Sequence, residues 1–99
     1  AMRAAGNERF EAGAFGDALE MYVQAMAGLD VTAKARHEVA VPILTNMALC
    51  FLELRKPRHA VRAADEALAI DAANAKAHLR RGKALLALDR YAEAQTALE

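Results

Sequence analysis

Residues 6–27 read GNERFEAGAFGDALEMYVQAMA, and this stretch, laid against the rest of the chain, decides the fold. It sets small residues at Gly6, Ala18 and Ala25, with the aromatic Phe15 between the first two. The series returns at Ala48, Pro57, Ala60 and Ala67, and again at Gly82, Tyr91 and Ala94. Ala48 and Gly82 are 34 residues apart but Gly6 and Ala48 are 42 apart, so eight extra residues fall between the first two units, in the stretch 31–40. Self-similarity at a fixed period marks an array in which no unit can bury its apolar face alone. Small residues recurring at fixed positions mark where two helices cross closely.

Composition points the same way. Of 99 residues 26 are Ala, only five are aromatic and none is Trp, which suits tightly packed helices. Thirteen Lys and Arg balance thirteen Asp and Glu, excluding the positive excess of a general nucleic-acid binder or polybasic membrane anchor. The lone Cys50 excludes an internal disulfide and a multi-cysteine metal site, and suits a reducing, cytoplasmic setting. No apolar run approaches the roughly 20 residues of a membrane span, and no signal-peptide pattern is present.

The repeat resembles the tetratricopeptide repeat, a pair of antiparallel helices per unit. Gly6-Asn7, Gly13, Phe15, Ala18, Tyr22 and Ala25 match its consensus, as do Ala60, Ala67 and Ile70-Asp71, then Arg81-Gly82, Tyr91 and Ala94. The resemblance implies an all-α, right-handed superhelical array of three helix-turn-helix repeats forming a single domain over 1–99. Repeat one covers about 1–30, an extended connection 31–40, repeat two 41–74 and repeat three 75–99. Helices are expected near 2–13, 16–28, 42–54, 58–70, 75–88 and 91–99, with turns at Gly13-Ala14, Lys56-Pro57, Ala72–Asn74 and Asp89-Arg90. The stretch 31–40 (VTAKARHEVA) has helical propensity and is expected to lengthen its neighbours, with Pro42 either starting the third helix or kinking a longer one. The third repeat stops at Glu99, about nine residues short of its period and without a capping helix, which reads as a piece of a larger protein.

Catalytic chemistry finds little support. His37-Glu38 opens a metalloprotease-like string, but Val41 stands where a second histidine ligand belongs. Gly13 and Gly16 sit at an inter-helix turn rather than in a phosphate loop, and serine is absent. Cys50, between Leu49 and Phe51, reads as a small core residue, and Met21, Met26 and Met47 as core at helical spacing. His59 and His78 lack metal-ligand spacing and read as polar surface or groove residues. The chain is read as a non-enzyme without metal or cofactor.

What stands out is polarity on the first helix of each unit, the helices that line the concave face of such arrays. Arg3 and Asn7 are four apart and share a face. Asn46 interrupts an apolar helix where it is a poor helix former. Lys76 and Arg80 are a like-charge pair four apart, which costs helix stability unless an anion answers it. Charge is uneven despite the neutral total: residues 1–40 carry four basic and six acidic groups, 41–74 four and four, and 75–99 five and three.

Together these residues resemble the carboxylate-clamp branch of the family, in which a basic residue stands three before Gly-Asn, an Asn follows in the second repeat and Lys-x-x-x-Arg in the third. Arg3 replaces the usual Lys, keeping the charge but swapping an ammonium for a planar fork. The stretches 46–54 (NMALCFLEL) and 77–82 (AHLRRG), with the lengthened first connection, are similar to the repeat domains of FKBP-type immunophilins and related co-chaperones. The resemblance implies a module binding the C-terminal Glu-Glu-Val-Asp (EEVD) tail of heat-shock protein 90 or heat-shock protein 70. Arg3, Asn7 and Asn46 would hold the terminal carboxylate, Lys76 the last Asp side chain, and Arg80 the peptide from the same face. Phe10 and His78 are further groove candidates. An immunophilin parent would carry its prolyl isomerase domain outside this chain. The alternative reading is a scaffold binding an internal peptide or helix, or associating with itself through the third repeat, without carboxylate dependence.

Overall fold

In a computed structural model that describes residues 2–29 and 32–98, with side chains to residue 90, the chain turns where its sequence supplies a breaker. Helix α1 (Met2–Glu11) ends at Gly13, whose φ is 79°. Helix α4 (Val41–Glu53) ends at Arg55, with φ 60°, 42 positions later and at the same place in the repeat. Each left-handed residue closes the same cap: Ala14 N–H donates to Arg9 O at 2.8 Å and Lys56 N–H to Phe51 O at 2.8 Å. Helix α2 (Phe15–Ala27) and helix α5 (Pro57–Ile70) follow at once. Pro57 stands in the first turn of α5, where its missing N–H would have no partner anyway. Asn74 then caps the last helix, α6 (Ala75–Leu98), its Oδ1 accepting from Ala77 N–H at 2.9 Å.

The helices pair as α1 on α2, α4 on α5 and α5 on α6, while α2 and α6 also pack on α4. This is the stacked helix-pair arrangement that the resemblance implies, and no strand occurs among the described residues. Helix α4 is central and buries Val41, Ile43, Leu44, Thr45, Ala48 and Cys50. Helix α5 buries an alanine stripe of Ala60, Ala63, Ala64 and Ala67, small enough for close approach. At Gly6 the reason for smallness is direct: a Cβ there would lie 2.7 Å from two ring carbons of Tyr22.

The stretch expected to lengthen a helix does so. Thr32 Oγ1 caps a short α3 (Ala33–Ala35), and a π-helical turn, Arg36–Ala40, runs directly into α4. Val41 N–H reaches back five residues to Arg36 O. The wider turn settles the choice left open for Pro42, which has no N–H to give: it lies near the start of α4 inside a helical run that began at Ala33. Val31 and the side chains of Tyr91 and Ala94 lie outside the described residues.

One expected turn is absent. Helix α6 continues through Asp89-Arg90 to Leu98. Asp89 holds the repeat position of Gly13 and Arg55, but neither a glycine nor a proline lies in the segment 83–99, and strong helix formers flank it. Gly82 is therefore exposed, with nothing within 4 Å of where a Cβ would stand. Leu79, Leu85 and Leu86 are exposed beside it. No helix among the described residues is long and apolar enough to cross a membrane.

Candidate functional site

Tyr22 organises the polar face. Its side chain is fully buried against Gly6, Ala18, Ile43 and Cys50, so its hydroxyl needs internal partners. It donates to Asn7 Oδ1 at 2.5 Å and accepts from Asn46 Nδ2 at 3.2 Å. Helices α1 and α4 thus present two half-buried asparagines joined through one phenol from α2. Burial pushes the Tyr22 hydroxyl above its ordinary pKa, against the Asn46 hydrogen bond and the Arg3 charge. Each amide is oriented through one polar atom, which leaves hydrogen-bonding capacity at the others.

Asn46 and Lys76 line one recess of about 390 Å³ with Pro42, Thr45, Asn74 and Ala75. Its walls come from the N-terminal half of α4 and from the cap and first residues of α6. Arg80, one turn beyond Lys76, is half-buried and donates from Nε to the carbonyl of Thr45 at 2.9 Å. Thr45 in turn donates its hydroxyl to Pro42 O at 3.0 Å. Fixing Nε anchors the guanidinium and leaves its two terminal nitrogens as a fork. Burial lowers the Arg80 pKa, with Cys50 acting the other way; a partly dehydrated cation interacts more strongly with an arriving anion.

Arg3 and Lys76 are exposed and enter no ion pair among the described residues, where the pairs are His37–Asp71 and Arg81–Asp65. Of the further groove candidates, Phe10 packs edge-on against Phe15 with centroids 5.9 Å apart and joins the core around Tyr22. His78 is exposed and bonded through Nε2 to Ala72 O at 2.8 Å, on the turn before α6. Cys50 is buried, which pushes its thiol up to about 11 and keeps it protonated at neutral pH. No cluster of three metal-ligating side chains occurs among the described residues.

Sequence reasoning treated Tyr22 as repeat consensus and missed its role, although a buried phenol near two otherwise unexplained asparagines was a usable signal. It also missed Thr45, which enters through its backbone carbonyl, a group present at every position.

The family model described as "Spermatogenesis-associated, N-terminal" matches residues 6–98. The chain is 33% identical over 91 residues to mitochondrial import receptor subunit TOM34 of Mus musculus, covering 92% of this chain and 29% of that protein. It is 34% identical over 92 residues to the Hsp70/Hsp90 co-chaperone CNS1 of Saccharomyces cerevisiae, covering 93% of this chain and 23% of that one. To the inactive peptidyl-prolyl cis-trans isomerase FKBP6 of Mus musculus it is 35% identical over 96 residues, covering 91% and 29%. The chain spans less than a third of each of these relatives.

Proposed function

Because the chain belongs to the family described as spermatogenesis-associated, N-terminal, and shares its tetratricopeptide repeats with co-chaperones, we propose that it is a non-catalytic docking module for a chaperone tail. The ligand is a peptide with a free C-terminus and an acidic last residue, of the EEVD type carried by heat-shock protein 90 and heat-shock protein 70. The observation that carries the reading is the Asn7–Tyr22–Asn46 chain beside the anchored Arg80. Asn7 and Asn46, with Arg3 above them, take the main-chain carboxylate. Lys76 takes the side-chain carboxylate across the recess, and Arg80 steadies the peptide backbone. A main-chain and a side-chain carboxylate on one residue are a signature only a chain end can offer, and charge-assisted hydrogen bonds read it. The kinship with a protein named as an Hsp70/Hsp90 co-chaperone supports this choice of partner. The lone cysteine and balanced charge suit a cytoplasmic module.

Fluorescence polarisation with a labelled Met-Glu-Glu-Val-Asp peptide tests it. We expect micromolar binding that weakens in salt and is lost on amidating the C-terminus. Lys76→Ala or Arg80→Ala should each reduce affinity by about tenfold or more. Binding indifferent to amidation would overturn the clamp. A second reading draws on Leu79, Leu85 and Leu86, which are 53%, 40% and 51% exposed on α6. A scaffold taking an internal helix there, or a second copy, would not require the free carboxylate, so the amidated peptide separates the two.

A further inference from the structure

Arg55, Lys56, Arg58, His59 and Arg62 fall within eight consecutive positions that contain no acid. All are exposed, and none enters an ion pair among the described residues. The placement works against the helix. Arg58 occupies the first turn of α5, which holds no acidic residue and where the helix dipole disfavours cations. Arg58, His59 and Arg62 wall a recess of about 210 Å³. The Phe51 ring lies 5.2 Å from the His59 ring and also borders a larger recess of about 410 Å³, lined by Leu19, Glu20, Val23 and Gln24. Val23 is 55% exposed at its edge. The tilted Phe51–His59 ring contact therefore sets an apolar recess on α2 beside a basic recess on α5. None of these residues lines the recess of Asn46 and Lys76.

We propose that this surface docks an acidic amphipathic helix of a protein partner. Its apolar side chains sit between Leu19, Val23 and Phe51, and its carboxylates answer Arg58, His59 and Arg62. Charge complementarity selects an acidic occupant, and the adjoining apolar groove selects one with a hydrophobic stripe. A nucleic-acid backbone leaves the apolar half unused. A lipid surface requires several apolar side chains that protrude, whereas here Val23 alone is exposed and Leu19 and Phe51 are half-buried. The inference stands apart from the carboxylate clamp.

The test titrates the isotope-labelled chain with a synthetic helical peptide of about 18 residues (five turns), bearing Leu at every third or fourth position and Glu at flanking ones. Amide shifts should cluster at residues 19–24, 51 and 58–62. Val23→Glu, and separately the double variant Arg58→Glu/Arg62→Glu, should each weaken binding by about tenfold, while Lys76→Ala leaves it unchanged. These positions are exposed, so circular dichroism should report an unaltered fold. Shifts confined to Asn46 and Lys76, absence of binding, or equal affinity for polyglutamate, single-stranded RNA or anionic vesicles would each overturn the proposal.

Discussion

At the scale of one residue, Tyr22 joins the core to the face proposed to bind peptide. Its ring fills the space that Gly6 leaves open, and its hydroxyl sets the two asparagines. Tyr22→Phe keeps the packing and removes one oxygen, so it isolates the second role. Leaving Asn7 and Asn46 without that partner should cost about 1–2 kcal/mol in urea denaturation. Affinity for an EEVD peptide should fall by about tenfold as the amides lose their orientation. Lost stability with unchanged affinity would reduce Tyr22 to a structural residue. Beneath it, Cys50 makes stability sensitive to alkali. Burial holds its thiol proton to about pH 11, whereas an unconstrained thiol releases it near 9. The unfolded chain therefore binds fewer protons across that window, and stability, complete below pH 9, is lost as pH rises towards 11. The loss should reach about 2 kcal/mol, with the raised Tyr22 hydroxyl adding in the same direction above its ordinary value of 10. Cys50→Ala should flatten the fall in melting temperature between pH 8.5 and 10.5, roughly the span set by these groups; an equally steep fall would assign it elsewhere.

At the scale of the helix, one repeat position has opposite physical meanings in different units. At Gly6 an added methyl meets the Tyr22 ring at 2.7 Å, but at Gly82 it meets nothing. Gly6→Ala should destabilise by about 1–3 kcal/mol, because overpacking against a buried ring outweighs the gain in helix propensity. Gly82→Ala should stabilise by about 0.5–1 kcal/mol, since only propensity acts there. Matched thermal denaturation of the two variants reads the sign directly, and a destabilising Gly82→Ala would mean that a helix covers that face in solution. The same pair marks what was legible in the sequence. The register of Gly6, Ala18, Ala48 and Ala60 carried the helix pairing, because small residues at crossings are a steric requirement visible in any one unit. The continuation through Asp89 was not legible, since a repeat register records that a break is expected while local propensity and the lack of a left-handed residue decide whether it forms. Likewise the π-helical turn before Pro42 packs against α5, a tertiary contact that no local pattern encodes. In the polar face, residue types pointed to Asn7, Asn46, Lys76 and Arg80, whereas the Thr45 carbonyl that anchors Arg80 carries no side-chain signature.

At the scale of the whole molecule, the array is unevenly supported. Helix α4 packs against α2, α5 and α6, whereas α1 leans mainly on α2 and buries only Gly6. In a stack whose stability is a sum over neighbours, the ends open first. Amide exchange should therefore be slowest in residues 43–50 and fastest in α1 and the last turns of α6. A peptide carboxylate held by Arg3 and Asn7 on α1, Asn46 on α4 and Lys76 and Arg80 on α6 ties an end helix to the centre through groups far apart in sequence. A ligand at about 100 times its Kd stabilises the bound state by about 2.7 kcal/mol, and α1, the least supported helix, has the most protection to gain. Saturation with a free-acid EEVD peptide should slow exchange in α1 by the largest factor, in α6 around residues 76–80 by less, and in the already protected α4 least. The amidated peptide should leave all three unchanged. Slowing confined to α2 and α5 would place the peptide on the surface beside Val23, Phe51 and Arg58 instead, and α1 would then owe its polar residues to solvent.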